Sequence, residues 1–112
     1  MSAYIAHLDA AIADLQAQAA ALKASGREDE ATLARIQLNI HDVCRTVYNV
    51  CARSAQGDAM RTMYLEKLDR LPVSWRESLT RARQHGGDCK AIIEELKIRT
   101  LEENRAKFLE LE

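Results

Sequence analysis

The residues of this chain best suited to site chemistry are its three histidines and three cysteines. His41 and Cys44 stand three positions apart, and Cys51 follows seven residues later. On a helix, that spacing puts an imidazole and a thiol on adjacent turns of one side. They would supply two of the four ligands a structural zinc ion needs. No Cys-x-x-Cys pair and no His-Glu-x-x-His run supplies the others. His85 and Cys89, on either side of Gly86-Gly87, meet the same shortage. Cys44 and Cys51 border an apolar helical seam, and small buried hydrophobes account for both. Cys89 opens a helix, which favours a thiolate, but the adjoining Asp88 opposes it. A Gly-rich phosphate loop, a nucleophile elbow and an inward Glu-x-x-His pair are all missing. The expectation is a protein that is not an enzyme and holds no metal and no cofactor.

A second chemical cluster is Ser74-Trp75-Arg76-Glu77-Ser78-Leu79-Thr80-Arg81-Ala82-Arg83, with a Trp and three Arg. Behind the turn at Pro72 it has the outline of a helix-turn-helix reader. A DNA-binding regulator using a helix at 74–85 is therefore the alternative function. Trp75 and Leu79 fall on an apolar stripe, however, and the turn lacks the usual Gly. The whole chain balances 16 Lys+Arg against 17 Asp+Glu. A nucleic-acid binder ordinarily carries a clear basic excess, so nucleic acid is not the expected partner.

These side chains must be positioned by helices. Of the 112 residues, 47% are hydrophobic, enough for an interior, while four Gly and one Pro are too few for the turns of a β fold. The first segment, about 2–24, carries Ile5, Leu8, Ile12, Leu15, Ala19 and Leu22 at alternating steps of three and four, with Ser2 as N-cap. The second, about 27–53, carries Leu33, Ile36, Ile40, Val43, Val47 and Val50 in the same rhythm, entered through a Ser25/Glu28 capping box. The third carries Met60, Tyr64, Leu68, Leu71, Trp75, Leu79 and Ala82 and is interrupted by Pro72, giving helices at about 58–71 and 74–85. The fourth, about 88–111, has two offset stripes: Cys89, Ile92, Ile93 and Leu96, then Leu101, Phe108 and Leu111. Such an offset marks a stutter or a change of partner. Short links make neighbours antiparallel. The predicted fold is all-α, one domain over 1–112, an up-down antiparallel four-helix bundle whose third helix is broken at Pro72. A three-helix core whose last helix completes its burial on a second chain is the competing architecture.

Two faces remain for function. Ala3, Ala6, Ala10, Ala13, Ala17, Ala20 and Ala24 line the side of the first helix opposite its seam, and that helix has only three charged residues, Asp9, Asp14 and Lys23. Small side chains let a second helix approach closely, so a homodimer through this stripe is expected. Leu38, His41, Arg45 and Tyr48, with Ala34 and Ala52, make a mixed stripe on the second helix, and Tyr and Arg are favoured at protein interfaces. The function expected is non-catalytic protein–protein interaction, self-association first, with a further protein partner possible. Without ~18 consecutive apolar residues the chain is not expected to span a membrane. No basic stretch precedes the apolar Ala3, Tyr4 and Ile5, and the thiols are an odd number, so a cytoplasmic protein is expected. Leu38-Asn39-Ile40-His41-Asp42-Val43 with Tyr48-Asn49-Val50 resembles short all-helical proteins of Clostridia-type bacteria. The resemblance covers the second helix and implies a helical fold without an attached activity.

Overall fold

A computed structural model describes residues 2–112, and among them every regular element is a helix. These are α1 (Ala3–Ala24), α2 (Glu28–Ser54), α3 (Gly57–Arg70), α4 (Val73–Gln84) and α5 (Asp88–Leu111). Ser2 caps α1 as expected, its side chain accepting from the Ile5 amide at 3.1 Å. The predicted Ser25/Glu28 box does not form. Ser25 Oγ turns back to the Ala21 carbonyl, leaving Arg27 as N-cap of α2. Ser74 falls inside the first turn of α4, whose N-cap is Pro72, and Gly87 rather than Asp88 caps α5. Leu71 and Pro72 both keep near-helical dihedrals, so α4 is a kinked continuation of α3. The missing proline N–H breaks the ladder there.

The chain repeats itself at an offset of 60 residues, a period that the hydrophobic rhythm did not reveal. Tyr4 and Tyr64, Leu8 and Leu68, Asp9 and Asp69, Gly26 and Gly86, Ala31 and Ala91, and Arg45 and Arg105 are identical pairs at this spacing. The Asp–Arg and Gly pairs also share their structural roles. Asp9 accepts from Arg45 at 2.8 Å and Asp69 from Arg105 at 3.0 Å, each bond joining the two helices of one hairpin. Gly26 (φ 78°) and Gly86 (φ 71°) end the first helix of each hairpin in the left-handed region, where any other residue is strained. The bonds from Arg27 N to Leu22 O (2.9 Å) and from Gly87 N to Ala82 O (2.8 Å) close the same C-cap motif in each. The protein is thus two helical hairpins, α1–α2 and α3/α4–α5.

Pairs such as Asp9–Arg45, Arg76–Glu102 and Arg83–Glu95 make each hairpin antiparallel. Between hairpins, Asn104 meets Cys44 and Phe108 meets Tyr48, so α2 and α5 run parallel about a pseudo-two-fold axis. Four rings surround that axis at one end. Tyr4–Phe108 (5.3 Å) and its counterpart Tyr64–Tyr48 (5.4 Å) are edge-to-face contacts. The Tyr4 and Tyr64 hydroxyls meet on the axis at 2.6 Å, and Tyr64 also donates to the Cys44 carbonyl at 3.1 Å. Leu8, Leu68, Ile40, Cys51 and Leu101 complete this shared core.

Toward the hairpin loops the shared core ends. Leu15, Ala19 and Ala34 form a second cluster confined to the first hairpin. The radius of gyration, 15.3 Å, exceeds the ~13 Å of a compact chain this long, and the molecule is only 20 Å thick along its shortest axis. The hairpins join at the aromatic end and part toward the loops.

The predicted seam of α2 is corrected. Its buried face holds Ala31, Ala34, Ile40, His41, Cys44, Tyr48 and Cys51, while Val50 is 41% exposed. From Leu33 to Val50 the expected face is displaced by one residue, about 100° around the helix. Aliphatic residues alone defined that seam, whereas the axis is lined by aromatic and polar side chains.

Candidate interaction surfaces

The corrected face of α2 removes two candidates from the surface. His41 and Tyr48 are buried on the inter-hairpin axis, with Asn104 Nδ2 3.0 Å from His41 Nδ1 and 3.5 Å from Cys44 Sγ. Burial lowers the His41 pKa and raises those of Cys44, Tyr4 and Tyr64. The Tyr48 hydroxyl reaches the chain end, donating to Glu112 Oε1 at 2.7 Å. Arg45 is half-buried and committed to Asp9 and Asp42, both at 2.8 Å. Leu38 is partly covered by the cluster of Leu15, Ala19 and Ala34. His41 and Tyr48 thus belong to a packing face of α2, while Leu38 and Arg45 keep partial exposure.

The alanine stripe of α1 has the opposite outcome. Ala3, Ala6, Ala10, Ala13, Ala17 and Ala20 are all exposed. The repeat supplies an internal control. Sixty residues on, the same face of the second hairpin holds Met63, Glu66, Arg70, Val73, Glu77 and Thr80, and all but Met63 are exposed. Where the continuous α1 carries alanine alone, the kinked α3/α4 carries a mixed, charged face. The fold does not require the stripe.

On α4, Arg76 reaches Glu102 at 3.4 Å and Arg83 reaches Glu95 at 2.7 Å, while Leu79 and Ala82 are buried. Two of the three arginines of this helix are thus offset by carboxylates of α5. Trp75, which lies on the predicted apolar stripe, is half-buried. It packs on the edge of the shared core, with the Lys97 ammonium 5.7 Å from its ring centroid. Lys97 also bonds Glu94 at 3.1 Å. Glu94 is only 2% exposed, and its Oε2 has no partner.

A surface that the sequence reading had only half identified lies between the parting hairpins. The stripe Cys89, Ile92, Ile93, Leu96 on α5 stays largely open, with Ile92 53% exposed. A notch of about 350 Å³ sits on the pseudo-axis, lined by three repeat pairs: Asp29 with Cys89, Thr32 with Ile92, and Leu33 with Ile93. Through Leu33 and Ile92 it joins a groove of about 310 Å³ running along the first hairpin past Leu15, Leu22 and Ala34, opposite Leu96. The offset between the two α5 stripes was the signal. The second stripe builds the shared core, and the first faces this cleft.

Among the described residues no three His, Cys, Asp or Glu side chains converge as a metal site would require, and no helix is long and apolar enough to cross a membrane. Cys44 and Cys51 are buried and Cys89 is exposed. The chain matches no protein-family model, and no curated protein or solved structure is similar to it.

Proposed function

We propose that this protein is an up-down bundle of two helical hairpins that acts by binding protein, and that its first partner is a second copy of itself, held through the alanine face of α1. One observation carries the reading. The face is exposed and almost free of charge, while its counterpart on the second hairpin carries Glu66, Arg70 and Glu77. Alanine holds no large side chain between two backbones, so a second α1 approaches to ~8 Å, the near end of the helix-packing range. A two-fold dimer pairs one patch with itself, and a long uniform stripe packed antiparallel satisfies that symmetry. The desolvation cost is small, because the face carries no carboxylate or ammonium.

Light scattering at tens of micromolar tests the state, and Ala13→Glu with Ala17→Glu tests the surface. The expected results are a dimer for the native chain and a monomer for the double variant, with helicity unchanged. A native monomer, or a dimer indifferent to both glutamates, refutes the interface. The DNA-binding alternative is weakened by the ion pairs that occupy Arg76 and Arg83. Salt-sensitive retention on heparin would revive it.

A further inference from the structure

We propose that the cleft between the hairpins is a docking groove for an amphipathic helix of a different protein, anchored by one large aromatic side chain with a Lys or Arg one turn away. The molecule itself shows what fills such a groove. In the second hairpin the positions equivalent to Leu15, Ala34 and Gln37 are Trp75, Glu94 and Lys97. There an indole lies beneath the Lys97 ammonium, which also bonds the buried Glu94. In the first hairpin the same three positions carry shorter side chains, and Leu15, Ala34 and Gln37 instead line open space of about 310 Å³. One side of the pseudo-axis has a built-in aromatic plug, and the other has the place for one. The opposite wall is Leu96 and Ile92, with Ile92 53% exposed.

The aromatic side chains of the described residues are already engaged: Tyr4, Tyr48, Tyr64 and Phe108 are buried in the shared core, and Trp75 is packed beside Lys97. We therefore take the anchor from another protein. The groove and the axial notch together hold one or two large side chains, which a helix presents at i and i+3 or i+4. The sign of the flanking charge follows from the mouth. Glu28, Asp29 and Asp88 occupy the first turns of α2 and α5 and make no ion pair among the described residues. Of the charged groups in the groove wall, Glu30 and Glu95 are paired with Arg27 and Arg83, which leaves Arg99 as the one cation facing the groove. The mouth favours a cationic flank on the incoming helix.

The test is selection of a phage-displayed library of 16-residue helix-forming peptides on the full chain. Two variants serve as counter-targets. Leu15→Trp installs the plug that the second hairpin already has. Ile92→Glu puts a charge on the groove wall at an exposed position, so folding is not at issue and circular dichroism checks it. The expected result is enrichment of peptides carrying Trp, Phe or Tyr with Lys or Arg one turn away, whose affinity falls at least tenfold for both variants. Several outcomes overturn the proposal: no enrichment over the variants, enriched peptides without an aromatic, or affinity unchanged by Ile92→Glu. Peptides displaced by self-association of the chain would assign the cleft to a second copy and overturn it equally.

Discussion

The paired hydroxyls on the pseudo-axis give a prediction whose size follows from their geometry. Tyr64 donates to the Cys44 carbonyl at 3.1 Å and meets Tyr4 Oη at 2.6 Å, while the Tyr4 hydroxyl has no other partner among the described residues. The two tyrosines repeat each other in sequence but are not equivalent in bonding. Tyr64→Phe leaves the Tyr4 hydroxyl fully buried and unsatisfied, a loss of ~2 kcal/mol within the usual ~1–3 kcal/mol. Tyr4→Phe leaves Tyr64 still bonded to Cys44 and removes one net hydrogen bond, ~1 kcal/mol. The double variant strands no hydroxyl and should cost ~2 kcal/mol, so the pair couples by ~1 kcal/mol. Urea titrations give these values, and at roughly 4 °C per kcal/mol the Tyr64→Phe melting temperature falls by ~8 °C. Equal costs for the two single variants, or simple additivity in the double, would refute the hydrogen-bond order assigned to the axis.

Two further predictions concern the helices around this core. Trp75→Ala should destabilise by ~2 kcal/mol in urea, below the ~3–5 kcal/mol of a fully buried Trp, because the indole keeps one face outside; a loss above ~4 kcal/mol would place it in the deep core. Acid should weaken the fold through His41. Its folded pKa lies below the ordinary value of 6.5 because burial disfavours the cation, so the unfolded chain takes up the proton first. The His41 contribution is complete above pH ~6.5 and shrinks as pH falls below it. His7 and Glu103 are the charged neighbours that modulate it, and His41→Leu should flatten the stability profile between pH ~7 and ~5. At alkaline pH the sign reverses. Tyr4 and Tyr64 have raised folded pKa values, so their contribution is whole below pH ~10 and is lost as pH rises past it.

Much of this fold was legible because most helices follow aliphatic rhythm. Leu8, Ile12, Leu15 and Ala19 are buried where the first seam placed them, and Tyr64, Leu68, Leu79 and Ala82 where the third did. The second helix misled because its aliphatic side chains are the wrong guide. Val43, Val47 and Val50 flank a core face whose axial positions are His41, Cys44 and Tyr48; Cys44 is buried as expected of a small hydrophobe, but His41 and Tyr48 belong to types less often buried. Burial there depends on partners far along the chain, chiefly Asn104 and Phe108, and helical period carries no information about those. Asn104 is buried through the same distant partners, whereas the buried Glu94 and Thr100 bond within their own helix, to Lys97 and to the Leu96 carbonyl. The repeat itself was readable in Tyr-x-x-x-Leu-Asp at 4–9 and 64–69, but six identities in some fifty aligned positions gain weight only once their bonds are seen to match.

Identity and difference between the two hairpins both bear on assembly. The identical pairs set the frame: the axis, the inter-helix ion pairs and the loop glycines. The differing pairs occur on the axis itself, as Cys44/Asn104 and Tyr48/Phe108, as well as in the cleft and on the outer faces, and those of the outer faces bear on interaction. A chain with an alanine face on both hairpins would offer two adhesive surfaces related by its internal axis. Each would recruit another copy, and the assembly would not close. Glu66, Arg70 and Glu77 on the second hairpin leave one self-complementary face, which closes at two copies under the proposed reading. Glu66→Ala with Arg70→Ala and Glu77→Ala removes the charges from the second hairpin's face and leaves Val73 and Thr80 among the alanines. All three side chains are exposed, and alanine is the better helix former, so the fold survives the change. The expected outcome in light scattering is growth beyond the dimer, with mass rising with concentration, and its reversal by Ala13→Glu with Ala17→Glu. A triple variant that stays a dimer would mean that Glu66, Arg70 and Glu77 are not what limits assembly to two copies.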